Sequence, residues 1–254
     1  MWSVTFGTWV SEIEYQMKTY RLELHVHSVL SPCASLEMIP PFIIEKALAS
    51  RIDILALTDH NSGANVPALL EAAEGTGITV LPGMELETAE EIHAICFFDT
   101  LAQLQAFENI VNSNLPDYRN NEAFFGAQLV VDKDGNFLKK EERLLSTATR
   151  LPIIEAKNIV LELGGLFIPA HVEREENGLL PRLGGIPPEM ELSIVEVSHF
   201  KSIPNLLRLW SDLKNVHIIK NGDAHDLDGI LGLTQLKMDK VNIANLRKAI
   251  LEQT

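Results

Sequence analysis

The chain has 254 residues, 46% of them apolar, a formal charge of −14 and two cysteines. That length suits one large α/β domain or two small ones, and no apolar run reaches the roughly 18 residues that crossing a bilayer takes. Cys33 and Cys96 form no framework of pairs, which fits a reducing cytoplasm. The acid excess argues against a long basic groove for duplex nucleic acid but leaves room for a small phosphorylated substrate, because bound divalent cations reverse the local potential.

Residues 1–20 carry Glu12 and Glu14 and lack the basic-then-apolar order of a signal peptide. Positions 1–19 read as an N-terminal extension, with Met17 as a second candidate start, ahead of one domain over 20–254. The first strand covers 20–27, with Leu22, Leu24 and Val26 on one face and Glu23, His25 and His27 on the other. A helix over 41–50 follows. The run IDILALTDH at 52–60 is apolar until it stops at Asp59 and His60, and a helix over 65–74 comes next. A strand through 77–88 runs into Glu85, and another begins at His93. Thr100 is placed to cap a helix with Leu101, Leu104, Phe107 and Val111 along one stripe.

Residues 116–150 break this rhythm. Strand-like residues flank Asp134-Gly135, a hairpin signal, and the stretch reads as an insertion, a lid or a small subdomain. Pro152 then opens a helix whose face is Ile153, Ala156, Ile159, Val160 and Leu163, stopped by Gly164-Gly165. Three more strand runs end at His171, at His199, and at Asp223 and His225, with helices over 204–213 and 242–251. Runs this apolar, about seven in all, suggest strands buried on both faces, and their alternation with helices argues a parallel sheet or barrel.

A parallel barrel gathers the C-terminal ends of its strands at one rim. His25, His27, Asp59, His60, Glu85, His171, Asp223 and His225 would converge there, whereas His93 starts its run and is the hardest to place. Imidazoles and carboxylates together suit Zn²⁺, Mn²⁺ or Fe²⁺. The ligands exceed what one ion takes, so two or three divalent ions bridged by a carboxylate and a hydroxide are expected. Such a cluster lowers the pKa of a bound water and neutralises charge on a phosphoryl group.

Other polar residues have two readings each. Arg174 follows His171 and either clamps a phosphate or pairs with Glu173 or Glu175. His199 is either a proton donor to the leaving group or a hydrogen-bonded histidine of the rim. Asp59 either orients a ligand from behind or closes a turn.

The segments HVH at 25–27, TDHN at 58–61, GMEL at 83–86, IHAI at 92–95, PAH at 169–171 and GDAH at 222–225 resemble, in order and spacing, those of the PHP family, named for polymerase and histidinol phosphatase. The resemblance runs from about residue 20 to 226. It implies an α/β fold, a distorted (β/α)7 TIM-like barrel, and a two- or three-metal site for phosphoester hydrolysis by a metal-bridged hydroxide. Carried over by position, it gives a first ion His25, His27, Glu85 and Asp223. A second shares Glu85 and adds His93 and His171, and a third takes His60 and His225.

Many members place a further acidic or histidine ligand for the third ion five residues after HxH. Pro32 stands there in this chain, so the resemblance implies a third position that is weak, water-filled or dependent on phosphate. The adjacent Cys33 is either a substitute for that ligand or, the preferred reading, a small buried hydrophobe. The implied substrates are phosphate monoesters, nucleotides or short oligonucleotides. The alternatives are an amidohydrolase-type hydrolase, whose barrels also carry HxH, and a non-catalytic PHP module.

Overall fold

The βα alternation expected from the sequence is present, with one reversal that decides the geometry of the site. The computed structural model describes residues 17–198 and 200–253. Strand β1 (Lys18–Val26) leads into helix α1 (Pro40–Ala49), β2 (Ile54–Leu57) into α2 (Val66–Ala73), and β3 (Thr79–Glu87) turns straight into β4 (His93–Phe97). Then come α3 (Leu101–Asn114), the single turn α4 (Glu122–Phe125), the strands β5 (Leu129–Val131) and β6 (Phe137–Lys140), and α5 (Ile153–Glu162). The last third holds β7 (Leu166–Pro169), α6 (Leu179–Leu183), β8 (Ile194–Glu196), α7 (Ile203–Leu209), β9 (His217–Ile219), β10 (Thr234–Met238) and α8 (Ile243–Leu251). The expected extension lies, for residues 1–16, outside the described residues. Among those described, no helix is long and apolar enough to cross a membrane.

Six strands form one sheet in the order β10-β1-β2-β3-β4-β7, and β8 and β9 form a separate parallel pair. β1, β2 and β3 run parallel, but β4 is antiparallel to both β3 and β7, and β10 is antiparallel to β1. The all-parallel arrangement expected from the sequence is thus corrected at two strands. The reason for β4 is length: only residues 88–92 separate it from β3, and a parallel crossover takes a dozen residues or more. The chain can only fold back, with His93 opposite Glu87. Strand β10 escaped the sequence reading altogether, although Thr234, Leu236 and Met238 are buried in strict alternation with exposed Gln235 and Lys237. Backbone bonds tie the β8–β9 region to the large sheet: Val172 N–H donates to Glu196 O, and a parallel bridge at Val26 is made by Ala224 N–H to His25 O and His27 N–H to Ala224 O.

Helices cover the sheet through residues the periodicity marked. Leu104, Phe107 and Val111 are buried on α3, and Thr100 and Gln103 form a reciprocal cap at its start. Ile43, Leu69, Phe107 and Val160 pack with Leu55, Met84 and Cys96, while Ile243, Leu246 and Ile250 of α8 pack with Leu22, Ile54 and Ile168. Residues 116–150 contain α4 and the β5–β6 hairpin, whose turn is held by the Asp132 carboxylate accepting from the N–H groups of Asp134 and Asn136. This segment rests on the loop after β1, for a Cβ on Gly126 would stand 2.2 Å from the Pro32 carbonyl oxygen. With φ at +103° as well, position 126 admits only glycine.

Candidate metal centre

Glu85, near the end of β3 and 1% exposed, is surrounded by imidazoles. Its Oε1 lies 3.1 Å from His25 Nε2, 3.0 Å from His93 Nδ1 and 3.2 Å from His171 Nε2. Its Oε2 lies 2.9 Å from His60 Nδ1 and 3.4 Å from His27 Nε2. Asp223 Oδ1 is 3.2 Å from His25 Nε2, 3.4 Å from His27 Nε2 and 3.7 Å from His225 Nδ1. Every sequence candidate for a ligand therefore stands in one cluster. His93 belongs because β4 is reversed, which brings the start of that strand to the rim where β1 and β3 end.

The grouping of ligands is more shared than the position-by-position division implied. Sets of mutually close donors are His25 with His27 and Asp223, His60 with Glu85 and His93, and His27 with His60 and His225, each within 4.8 Å. The backbone is strained around them. Asn61, His171 and Asp223 adopt positive φ values of 48°, 31° and 50°, a region that costs a non-glycine residue roughly 1–3 kcal/mol when the surroundings enforce it. The β1–β2 register also shifts between Glu23 and Val26, an irregularity of the kind that re-aims side chains beside a site.

The donor set fits divalent cations on an observation of its own. His25 Nε2, His27 Nε2, His60 Nδ1 and Glu85 Oε2 are buried without a hydrogen-bond partner, around one carboxylate but not in hydrogen-bond geometry. Buried polar atoms are almost always paired. Imidazole nitrogens left open around carboxylates are ligands suited to Zn²⁺, Mn²⁺ or Fe²⁺.

The charges of the protein by itself follow from the same contacts. Burial would raise the Glu85 carboxyl, but His93, His25 and His60 outweigh it and hold it well below the usual range. Asp223 is likewise held low against its burial, chiefly by His25 and His27. His25 is held well above an ordinary histidine because Glu196, Asp223 and Glu85 overcome its burial. Burial and the neighbouring His225 push His27 well below, and burial lowers His171.

Behind these residues stand groups that aim them, and the sequence reading missed most of them. Glu196 on β8 contacts His25 Nδ1 through both oxygens, at 3.1 and 3.0 Å, which turns Nε2 toward Glu85 and Asp223. Glu87 lies 3.6 Å from His93 Nε2. Glu23 accepts from Gly222 N–H at 2.7 Å with Oε1, and from Leu231 and Gly232 N–H at 3.1 and 2.9 Å with Oε2. It therefore anchors the turn that carries Asp223. The available signal was a carboxylate inside an apolar strand run, which is buried only with partners.

Asp59 does not reach the cluster. It accepts from Ser28 N–H, Ser28 Oγ and Ser31 Oγ, and Ser31 Oγ lies 3.0 Å from His27 Nδ1. It thus acts on His27 through Ser31. Arg174 does not pair with Glu173, which instead accepts from Ser198 N–H; its Nη2 is 2.5 Å from Asp223 Oδ2, and its Nε donates to Ser198 Oγ. Arg174, Asp223, His225 and the 80% exposed Phe200 line an open cavity of ≈ 390 Å³. His199 lies outside the described residues.

Cys33 is corrected: it is not a buried hydrophobe. It is exposed, and its Sγ is 3.3 Å from His60 Nε2. Burial of the sulfur itself would raise the thiol, but hydrogen bonds to His225 and His60 bring it down to about 6.

Replacing Glu196 by glutamine should weaken metal affinity by roughly 10–100-fold, the usual effect of losing the carboxylate behind a ligating histidine, with the fold intact. Competition against a chromophoric chelator measures it; unchanged affinity would detach Glu196 from the site.

These residues gather donors that could hold divalent ions on a fold of one known kind. The model of the PHP domain matches residues 23–159, and the chain belongs to the PHP domain family. A stretch of 75 residues, 29% of this chain and 25% of the relative, is 32% identical to the 5′-3′ exoribonuclease Rnm of Salmonella typhimurium. Among solved structures, the lesion-specific endonuclease PfuEndoQ from Pyrococcus furiosus superposes with a TM-score of 0.69 at 18% identity, over 93% of this chain and 57% of that one. Endonuclease Q bound to a 27-mer duplex with an abasic lesion at its active site superposes at 0.67 and 18% identity, over 92% and 56%. A protein of Bifidobacterium adolescentis assigned to the metal-dependent phosphoesterases superposes at 0.55 and 14% identity, over 92% and 96%. This chain thus spans only part of the exoribonuclease and the endonuclease. The expectation that acidity disfavours duplex DNA gains no support from a fold seen on a duplex.

Proposed function

We propose that the chain is a phosphoric ester hydrolase that works with two or three divalent ions, Zn²⁺, Mn²⁺ or Fe²⁺, on a small phosphorylated substrate, a nucleotide or an oligonucleotide end. The observation that carries this reading is the ring of five imidazoles around Glu85, four of them buried, with open nitrogens and Arg174 at its edge. His25, His27, Glu85 and Asp223 would hold one ion, Glu85, His93 and His171 a second, and His60 with His225 a third. Bound divalent ions supply an acidified water and charge neutralisation at a phosphoryl group.

The chain's own groups do the rest. Glu196 keeps His25 Nε2 turned to the ions, and Ser31 with Asp59 does the same for His27. Arg174 uses Nε and Nη2 in its two bonds, leaving Nη1 for a phosphoryl oxygen in the adjoining cavity. Residues 116–150, resting on the loop after β1, would serve as an insertion that selects the substrate. Strands β1, β2, β3, β4, β7, β8 and β9 are read as one distorted barrel, and the unpaired cysteines favour the cytoplasm.

The exoribonuclease relative supports nucleic acid ends among the substrates, and the endonuclease structures support phosphodiesters within a strand. The test strips the metal, restores Mn²⁺, Zn²⁺ or Fe²⁺, and assays an aryl phosphate, its diester and 5′-labelled oligonucleotides, single-stranded and duplex. Metal-restored hydrolysis that is lost when Asp223 and His225 are both replaced by alanine is expected. Metal binding without cleavage of any of these esters would turn the reading toward a non-catalytic or amidohydrolase role.

A further inference from the structure

We propose that Cys33 is a ligand of the third metal position, where its thiolate joins His60 and His225 in place of the acidic or histidine side chain that Pro32 cannot supply. The inference rests on the reading of His60 and His225 as ligands. Three observations carry it. The sulfur lies 3.3 Å from His60 Nε2, whereas the other nitrogen of that ring faces Glu85. A thiolate and an imidazole bound to one tetrahedral zinc stand about 3.5 Å apart, given Zn–S near 2.3 Å and Zn–N near 2.0 Å. His27, fully buried and with Nε2 unpartnered, stands with His60 and His225 in a set of donors within 4.8 Å of one another.

The loop is also built to hold the sulfur there. Ser35 N–H donates to the carbonyl of His225, so the Cys33 turn is tied to the backbone of the ligand it would join. Ser31 Oγ is held by Asp59 on one side of the cysteine, and Gly126 closes against the Pro32 carbonyl. Pro32 thus fixes the turn and displaces the donor by one residue. Binding releases to solvent the protons held between the sulfur and the His60 and His225 imidazoles as the sulfur and nitrogen bonds to the metal form. A thiolate at this position favours zinc or cobalt over manganese, which prefers oxygen ligands.

The experiment loads the metal-stripped full chain with Co²⁺ and records the near-ultraviolet absorption, in which a sulfur-to-cobalt charge-transfer band reports the thiolate bond. The band is expected in the parent and in Cys96→Ala, and is expected to vanish in Cys33→Ala and Cys33→Asp. Cys33→Ala should also bind about one ion fewer per chain, and Cys33→Asp should keep it. In the parent, metal should protect Cys33 from iodoacetamide. A cobalt-loaded parent without the band, a band that survives Cys33→Ala, or alkylation indifferent to metal would overturn the proposal. Ester hydrolysis by a parent that lacks the band would sink the thiolate alone. The band in a parent that cleaves no ester would sustain it while the phosphoesterase reading falls. A parent that binds no cobalt would end both.

Discussion

Glu85→Gln should abolish metal binding and phosphoester hydrolysis together, with kcat/KM falling by at least roughly 10³-fold. The amide has the shape of the carboxylate, so the change is one of charge and of donor direction. Glu85 meets His25, His93 and His171 with one oxygen and His60 and His27 with the other. An amide nitrogen at either place cannot coordinate, and the remaining oxygen carries no full charge to offset the ions. Metal ions supply several kcal/mol of transition-state stabilisation, and about 4 kcal/mol is roughly a thousandfold in rate. Metal analysis and hydrolysis of an aryl phosphate measure the two losses. A variant with full metal content and near-parent turnover would remove Glu85 from the centre.

The second large effect is on stability. Stripped of metal, the protein should lose thermal stability as the pH rises from 6.5 toward 9, by roughly 5–10 °C in Tm, and added Zn²⁺ should restore more at each higher pH. His25, His60 and His93 are held above the ordinary value of 6.5, each by Glu85 among other partners. The unfolded chain loses those protons as the pH passes through 6.5, and the folded chain keeps them to higher pH. Their contribution is therefore complete below 6.5 and disappears as the pH climbs through the folded values.

His27 and His171 are held below 6.5, so above that pH they are neutral in both states and add no slope. Cys33, lowered from 9.0 to about 6, opposes the trend in this window, and His225, raised above 6.5, offsets it for as long as it keeps its proton, so the three raised histidines decide the sign. Glu23, raised by burial to about 7, adds a loss in the same direction up to that pH. Metal reverses the trend because it needs the neutral imidazoles and competes with protons less as they leave. Thermal melts in chelator and in zinc across this range test the prediction. A metal-free Tm that rises with pH, or a metal-induced shift that shrinks, would falsify it.

The site was legible in the sequence where ligands terminate apolar runs. His25, His60, Glu85, His171 and Asp223 each mark a place where a buried strand reaches polar surroundings, and no tertiary knowledge is needed to see it. His93 was assigned to the site only through the resemblance, because its place depends on strand direction, which five turn residues determine. Glu23 and Glu196 were hidden for another reason. Their partners, Gly222 and His25, lie far away in sequence, and a carboxylate in a strand reads as a solvated face until those partners are known. For Cys33 the wrong one of two readings was preferred, because one cysteine beside a proline has no pattern, and only the fold brings His60 and His225 to it. Strand β10 was lost among the turn residues that precede it.

The pairing of β1 has a kinetic consequence. Its first half lies against β10, with Lys18 opposite Met238, and Glu23 closes onto Gly232 across 209 positions of chain. The stretch matched by the family model, 23–159, contains neither His171 nor Asp223 nor His225. Contacts this distant in sequence form late and slowly, after loop-closure entropy has been overcome. The complete set of donors therefore exists only once the first and last strands have met. Ions that bind the finished arrangement cannot nucleate it; they retard unfolding and leave the rate of refolding almost untouched.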